Sequence, residues 1–166
     1  MPNFKFLAGN LLMSVGLLCA SAGSSAHEES AVSAEAEATQ ANASVCPKQL
    51  QLRSTDQVLQ AHLAAFRSAN AALIACDYAR NAVFMLPGSV ARGPDEIQAT
   101  FAGFLQSAGA INSVSVESMT IENGAALMTY KVDSQHIVVT EGVDTFVASR
   151  GRIVLHTAYL GGLSVR

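Results

Sequence analysis

Acid–base chemistry needs a group that exchanges a proton near neutral pH, held beside a charge that steadies it. This chain offers that combination near its C-terminus, where Asp144 and His156 flank the turn candidate Ser149-Arg150-Gly151. A two-residue loop at Arg150-Gly151 would place arginine at positive φ, which is unfavourable for a residue with a Cβ. A three-residue loop, Ser149-Arg150-Gly151, instead puts glycine at the left-handed position. That register pairs Ala148 with Arg152, Phe146 with Val154, and Asp144 with His156. A one-residue slip would send Asp144 to the opposite face from His156. A histidine beside a carboxylate has its tautomer fixed and its imidazolium stabilised, so the pair is a competent general base. The same residues also have a structural reading. His156 alternates with Val154, Ala158 and Leu160 as a core histidine would, and Asp144, with Phe146 and Ala148 on its own face, needs a partner if buried.

Other chemistries find less support. His27 falls in a polar segment and His136 near a loop, and no short-spaced ligand motif such as His-Glu-x-x-His is present, so no metal is expected. There is no phosphate loop, dinucleotide fingerprint or Gly-x-Ser-x-Gly elbow, and no cofactor is expected. The formal net charge is -3 and no Lys/Arg cluster follows position 27, which removes the electrostatic footprint of a nucleic-acid binder.

The N-terminus sets the compartment. Lys5 precedes a broken apolar run from Phe6 to Ala20, and Ser24-Ser25-Ala26 fits the small-x-small rule for signal cleavage. The run falls short of the ~20 apolar residues of a membrane span. Residues 1–26 therefore read as a signal peptide, with a periplasmic or secreted product and no membrane partner after cleavage. Residues 27–47 are rich in Ala, Ser and Glu, lack aromatic residues, and read as a disordered linker. Residues 48–166 are one domain by length. Cys46 and Cys76 remain after cleavage; an even count in an oxidising compartment suggests a bridge, and buried free thiols are the alternative.

The elements that must position the chemistry follow from pattern. Ser54-Thr55-Asp56-Gln57 has capping-box spacing, and Val58, Leu59, Leu63 and Phe66 recur at helical intervals, predicting a helix over 55–68. A short helix is expected over 71–78. Val83 to Leu86 reads as a strand ended by Pro87-Gly88, Val90-Ala91 as a small second strand, and Pro94-Asp95-Glu96 opens a third helix that ends before Gly109. Strands over 112–121 and 125–132 flank the hairpin signal Asn123-Gly124. Residues 136–140 and 143–148 read as one strand bent at Gly142, and 152–160 as the last.

The run Asp77 to Gly88, the segment Ala91 to Ile97, and the pair Val143 to Val147 and Gly151 to Val154 carry a family resemblance. Together they resemble the cone-shaped fold of nuclear transport factor 2, ketosteroid isomerase and the SnoaL-like polyketide cyclases, over roughly Val58 to Leu160. The resemblance implies an α+β fold: three N-terminal helices packed on a curved, mostly antiparallel sheet enclosing a pocket. Set against ketosteroid isomerase, His62 stands where a helical tyrosine helps hold the oxyanion. Asp144 matches the protonated aspartate, and His156 and Leu160 take pocket positions on the last strand. The isomerase base, an aspartate before a proline, is replaced by Leu86 before Pro87; leucine accepts no proton, so that mechanism is lost in its known form. The resemblance thus implies His62, Asp144 and His156 as catalytic residues, with Phe66, Phe84, Leu86, Phe101, Tyr130 and Leu160 around a ligand.

The function expected is an exported protein holding a small apolar, polyketide-like or steroid-like molecule, with isomerase, cyclase or dehydratase chemistry if it is an enzyme. The alternative is a non-catalytic dimerisation or interaction domain whose cavity is filled by Phe66, Phe84, Phe101, Phe104 and Tyr130. His62 as a half-exposed helix residue, and Tyr78 and Phe84 as core, belong to that alternative. A homodimer through the sheet face turned from the helices is expected in part because relatives of this fold pair there.

Overall fold

The computed structural model describes residues 46, 47 and 49–166. The expected signal peptide, and the linker apart from its last two residues, lie outside the described residues. Among the described residues no helix is long and apolar enough to cross a membrane.

Helix α1 spans Thr55–Arg67 and starts on the complete capping box, with the Ser54 side chain on the Gln57 amide and the Gln57 side chain on the Ser54 amide. Helix α2 spans Ala71–Cys76, capped by Asn70. It ends two residues before the expected Tyr78, because Tyr78 already pairs with Ile153 in the sheet and Arg152 donates to the carbonyls of Cys76 and Tyr78. Helix α3 spans Gly93–Ala108, with Pro94 in its first turn and Glu96 accepting from the Arg92 amide at 2.8 Å. Its buried residues Ile97, Phe101, Leu105 and Ala108 form one stripe at helical spacing.

The strands are β1 (Tyr78–Leu86), β2 (Ser89–Arg92), β3 (Ile111–Glu122), β4 (Ala125–Ser134), β5 (Ile137–Ser149), β6 (Arg152–Gly161) and β7 (Ser164–Val165). They form a seven-stranded sheet in the order β2-β1-β6-β5-β4-β3, with β7 on β5. Only β1 and β6 run parallel. The three helices cover one face, and the core between the layers is built from Leu59, Ile74 and Ile97 against Phe84, Phe146 and Ile153. Strand β5 is continuous through Gly142, where the Tyr130 ring lies so close that a Cβ would overlap it. The sequence pattern missed β7 and a 3-10 turn at Leu50–Leu52, both too short to show a period.

The last hairpin departs from the expected register. Its loop has two residues, Arg150 at φ 50° and Gly151 at φ 68°, and Ser149 pairs with Arg152. A bulge between Val147 and Ala148 then adds one residue on β6, so Phe146 faces His156 and Asp144 faces Ala158. Each of these changes alone would flip faces; together they shift the register by two and restore Asp144 and His156 to one face as diagonal neighbours. The strained arginine is held by tertiary contact. Arg53 donates to the Gly151 carbonyl through Nε (3.2 Å) and Nη2 (2.9 Å), and the Leu50 backbone presses on the Gly151 Cα, leaving no room for a side chain.

That N-terminal strap is tied down by Cys46–Cys76, with Cα atoms 5.4 Å apart, and by the buried Leu50. Its closed loop separates the cysteines by 30 positions, for which loop entropy gives about 3–4 kcal/mol of stabilisation. A Cys46→Ser, Cys76→Ser double variant should lose about that much in urea unfolding. Equal stability of the oxidised and reduced protein would contradict it.

Candidate functional site

Four elements place a buried polar chain on the inner face of the sheet. Tyr78 opens β1, Tyr130 lies on β4, Asp144 on β5 and His156 on β6. The Tyr78 hydroxyl is 2.6 Å from His156 Nδ1, His156 Nε2 is 3.0 Å from Asp144 Oδ2, and the Tyr130 hydroxyl donates to Asp144 Oδ1 at 3.0 Å. A carboxylate only accepts, so this geometry assigns the imidazole proton to Nε2 and leaves Nδ1 to accept from Tyr78. Burial, with Asp144 and Asp77 nearby, pushes the Tyr78 hydroxyl well above its usual range, so it stays a donor. Tyr130 is raised by burial and by Asp144 in the same sense.

The His156 ring is stacked between Phe84, at 4.4 Å between centroids, and Phe146, at 4.2 Å. Those spacings are ring-on-ring contact, with no room for a third group. Phe101 stacks on Phe84 at 5.2 Å and lies 6.4 Å from the His156 centroid, beside the stack. His62, from α1, meets His156 edge-on at 5.7 Å and makes similar edge contacts with Tyr78, Phe101 and Phe146. The three expected residues are therefore brought together, though His62 joins the others through ring contact and not through a hydrogen bond. Of the expected lining, Phe84, Phe101 and Tyr130 are buried, whereas Phe66, Leu86 and Leu160 are half-buried and pack against the core. Among the described residues, no three His, Cys, Asp or Glu side chains converge as a metal set.

Two neighbours were missed by sequence reasoning. Tyr78 reads as core by composition, and its hydroxyl contact depends on the parallel β1–β6 pairing, which no local pattern announces. Asp77 sits at the C-terminal cap of α2, where a carboxylate opposes the helix dipole; that misfit was the available signal. Its Oδ1 takes a 2.7 Å ion pair from Arg53, and its Oδ2 lies 3.9 Å from His62 Nδ1, beyond hydrogen-bond reach. Burial pushes the Asp77 carboxyl up, against the pull of Arg53 and Arg152.

Two hollows among the described residues lie elsewhere. One of about 320 Å³ is lined by Met85, Leu86, Pro87, Val143, Thr157 and Tyr159, so of the residues expected around a ligand it takes Leu86 alone. Another of about 400 Å³ lies between Arg80, Arg92 and the start of α3. His62, Asp144 and His156 line neither.

A family model described as a SnoaL-like domain matches residues 59–156. The chain finds no match among curated proteins. Among solved structures it is similar to an NTF-2 like protein of unknown function from Burkholderia xenovorans LB400, at 18% identity and a TM-score of 0.56 over 64% of this chain and 82% of that one. A putative polyketide cyclase from Sinorhizobium meliloti matches at 16% identity and a TM-score of 0.54, over 61% of this chain and 93% of that one. An LEH-like epoxide hydrolase from M. tuberculosis matches at 18% identity and a TM-score of 0.53, over 68% and 84%. At these identities the likeness is one of fold.

His62 is held neutral by its surroundings. Burial, and secondarily the nearby His156, lower its pKa from 6.5 to about 3. The unfolded chain therefore binds one more proton than the folded one between those values. The contribution is fully present above pH 6.5 and is lost as pH falls toward 3, at a limiting slope of about 1.4 kcal/mol per pH unit. In urea unfolding from pH 7 down to pH 4, roughly the span of that window, His62→Leu should lose stability less steeply than the parent, by up to one proton's worth of slope. Parallel pH profiles for the two proteins would refute this.

Proposed function

The chain belongs to the SnoaL-like domain family, and from that premise we propose that it is a non-catalytic association domain that pairs with a second copy of itself across the outer face of its sheet. One observation carries the non-catalytic part: His156 spends both ring nitrogens on protein partners and lies between two phenyl rings at 4.2 and 4.4 Å. A general base must reach the proton that it abstracts. Here each nitrogen already has a partner and each ring face a neighbour.

The outer face supports the pairing. Met85, Leu127, Val143 and Tyr159 are exposed there, with Thr145 and Thr157 between them, and the face turns charged at the Lys131–Glu117 pair. A two-fold interface sets the same patch against itself, so a charged centre would repel its own image, whereas an uncharged one buries apolar area without that cost. The Cys46–Cys76 bridge supports the exported setting, since such bonds persist in oxidising compartments.

A second reading, an apolar ligand held in the cone with acid–base chemistry at Asp144, His156 and His62, has one observation in its favour. The polar chain ends at Asp144 and Tyr130, which keep 6% and 7% exposure against 0% for Tyr78, so its carboxylate end is the more accessible. That reading requires the Phe84–Phe101 stack to open.

Sedimentation at micromolar concentration should show a dimer, and Val143→Lys with Tyr159→Lys should give a folded monomer. A monomeric parent would overturn the association reading. A dimer whose His156 ring signals shift on addition of a steroid-like ligand would favour the second reading over the non-catalytic one.

A further inference from the structure

Among the described residues, two buried side-chain polar atoms lack a partner: His62 Nδ1 and Asp77 Oδ2. They face each other at 3.9 Å, and their side chains are 5% and 4% exposed. Buried polar groups in folded proteins are satisfied with few exceptions, and each exception calls for a reason.

Neither residue has anywhere else to turn. Asp77 is fixed through its main chain, its amide donating to the Ile74 carbonyl at 3.1 Å and its own carbonyl accepting from the Ile153 amide at 2.8 Å. Its Oδ1 accepts from Arg53 Nη1 at 2.7 Å, and Arg53 is itself held on the Gly151 carbonyl. Arg152, bound to the carbonyls of Cys76 and Tyr78, adds positive charge on the same side. The His62 ring is edged by Tyr78, Phe101, Phe146 and His156; the two polar rings among them, Tyr78 and His156, are bonded to each other, and the second His156 nitrogen is on Asp144. The gap closes by a movement of about 1 Å to ordinary hydrogen-bond distance, or by one water set to the side of the line joining the two atoms and bonded to both.

We propose that Asp77, clamped by Arg53, is the positioning residue of His62: it accepts from Nδ1–H, directly or through one water, and leaves Nε2 as the free base of that ring. The core then holds two histidine–carboxylate units back to back with opposite tautomers. Arg53–Asp77–His62 carries its imidazole proton on Nδ1, and Tyr130–Asp144–His156 carries its proton on Nε2. The competing arrangement puts the proton on Asp77 Oδ2 and makes His62 Nδ1 the acceptor. A guanidinium at 2.7 Å from the same carboxyl disfavours it.

Asp77→Asn gives a sharp test. Arg53 can only donate, so the amide oxygen must stay on Arg53 and the amide NH₂ must face His62 Nδ1. That nitrogen then has to accept, and the tautomer inverts. Nitrogen-15 spectra of the histidine-labelled chain at neutral pH read this directly, with His62 identified by the signals that His62→Gln removes. The parent should show Nδ1 protonated and Nε2 bare at His62, and Asp77→Asn should exchange them while His156 keeps its proton on Nε2. A purely space-filling Asp77 would leave the tautomer unmoved. His62 found as the Nε2–H form in the parent, or unchanged in a folded Asp77→Asn, would overturn the proposal; if that variant does not fold, the parent spectrum decides alone.

Discussion

A carboxylate buried on the inner face of a sheet must be satisfied there, and the hydrogen bond between Asp144 and His156 is where this core meets that requirement. Leaving either group alone would cost about 1–3 kcal/mol, more for a charge. Tyr130 closes the second oxygen of Asp144, and Tyr78 closes the second nitrogen of His156. Four strands thus each contribute one member, and shifting the pairing of β1, β4, β5 or β6 by one residue would break the chain. The polar line fixes register in a way that the surrounding phenylalanines, which tolerate sliding, do not.

The same logic governs the N-terminal strap. Arg53 joins the α2 cap to the β5–β6 turn through Asp77 and the Gly151 carbonyl. Cys46–Cys76 holds the strap from its other end. Helix cap, turn and disulfide therefore bear on one corner of the domain, and His62 lies just inside it. A left-handed Arg150 is tolerated because tertiary contacts over-determine the turn.

Periodicity made the helices and most strands legible. The capping box at Ser54 marked the start of α1, Asn123-Gly124 marked the β3–β4 turn, and the alternation around Asp144 and His156 put both on the inner face. Asp144 and His156 share a face by a different route from the one the turn residues suggest: the turn is a residue shorter than local sterics favour, and a bulge makes up the difference. Neither could be read locally, since the turn is set by Arg53 and Leu50, nearly a hundred residues away. Tyr78 and Asp77 were illegible for a related reason, because their roles arise from the parallel β1–β6 pairing and from a strap packed at long range. The expectation that Phe84 and Phe101 surround a ligand rested on family likeness. Their stacking on each other and on His156 is a matter of side-chain volume, which sequence pattern does not reveal.

The central claim is that Tyr78, His156, Asp144 and Tyr130 act as one connected network that holds the core closed. A double-mutant cycle between Tyr78→Phe and Asp144→Asn tests it most directly, since the two side chains share no hydrogen bond and are joined through the His156 ring. Each single change should destabilise the fold in urea unfolding, and the pair should be non-additive by about 1–2 kcal/mol. Additivity within about 0.3 kcal/mol would show that the hydrogen bonds act separately and would contradict the account.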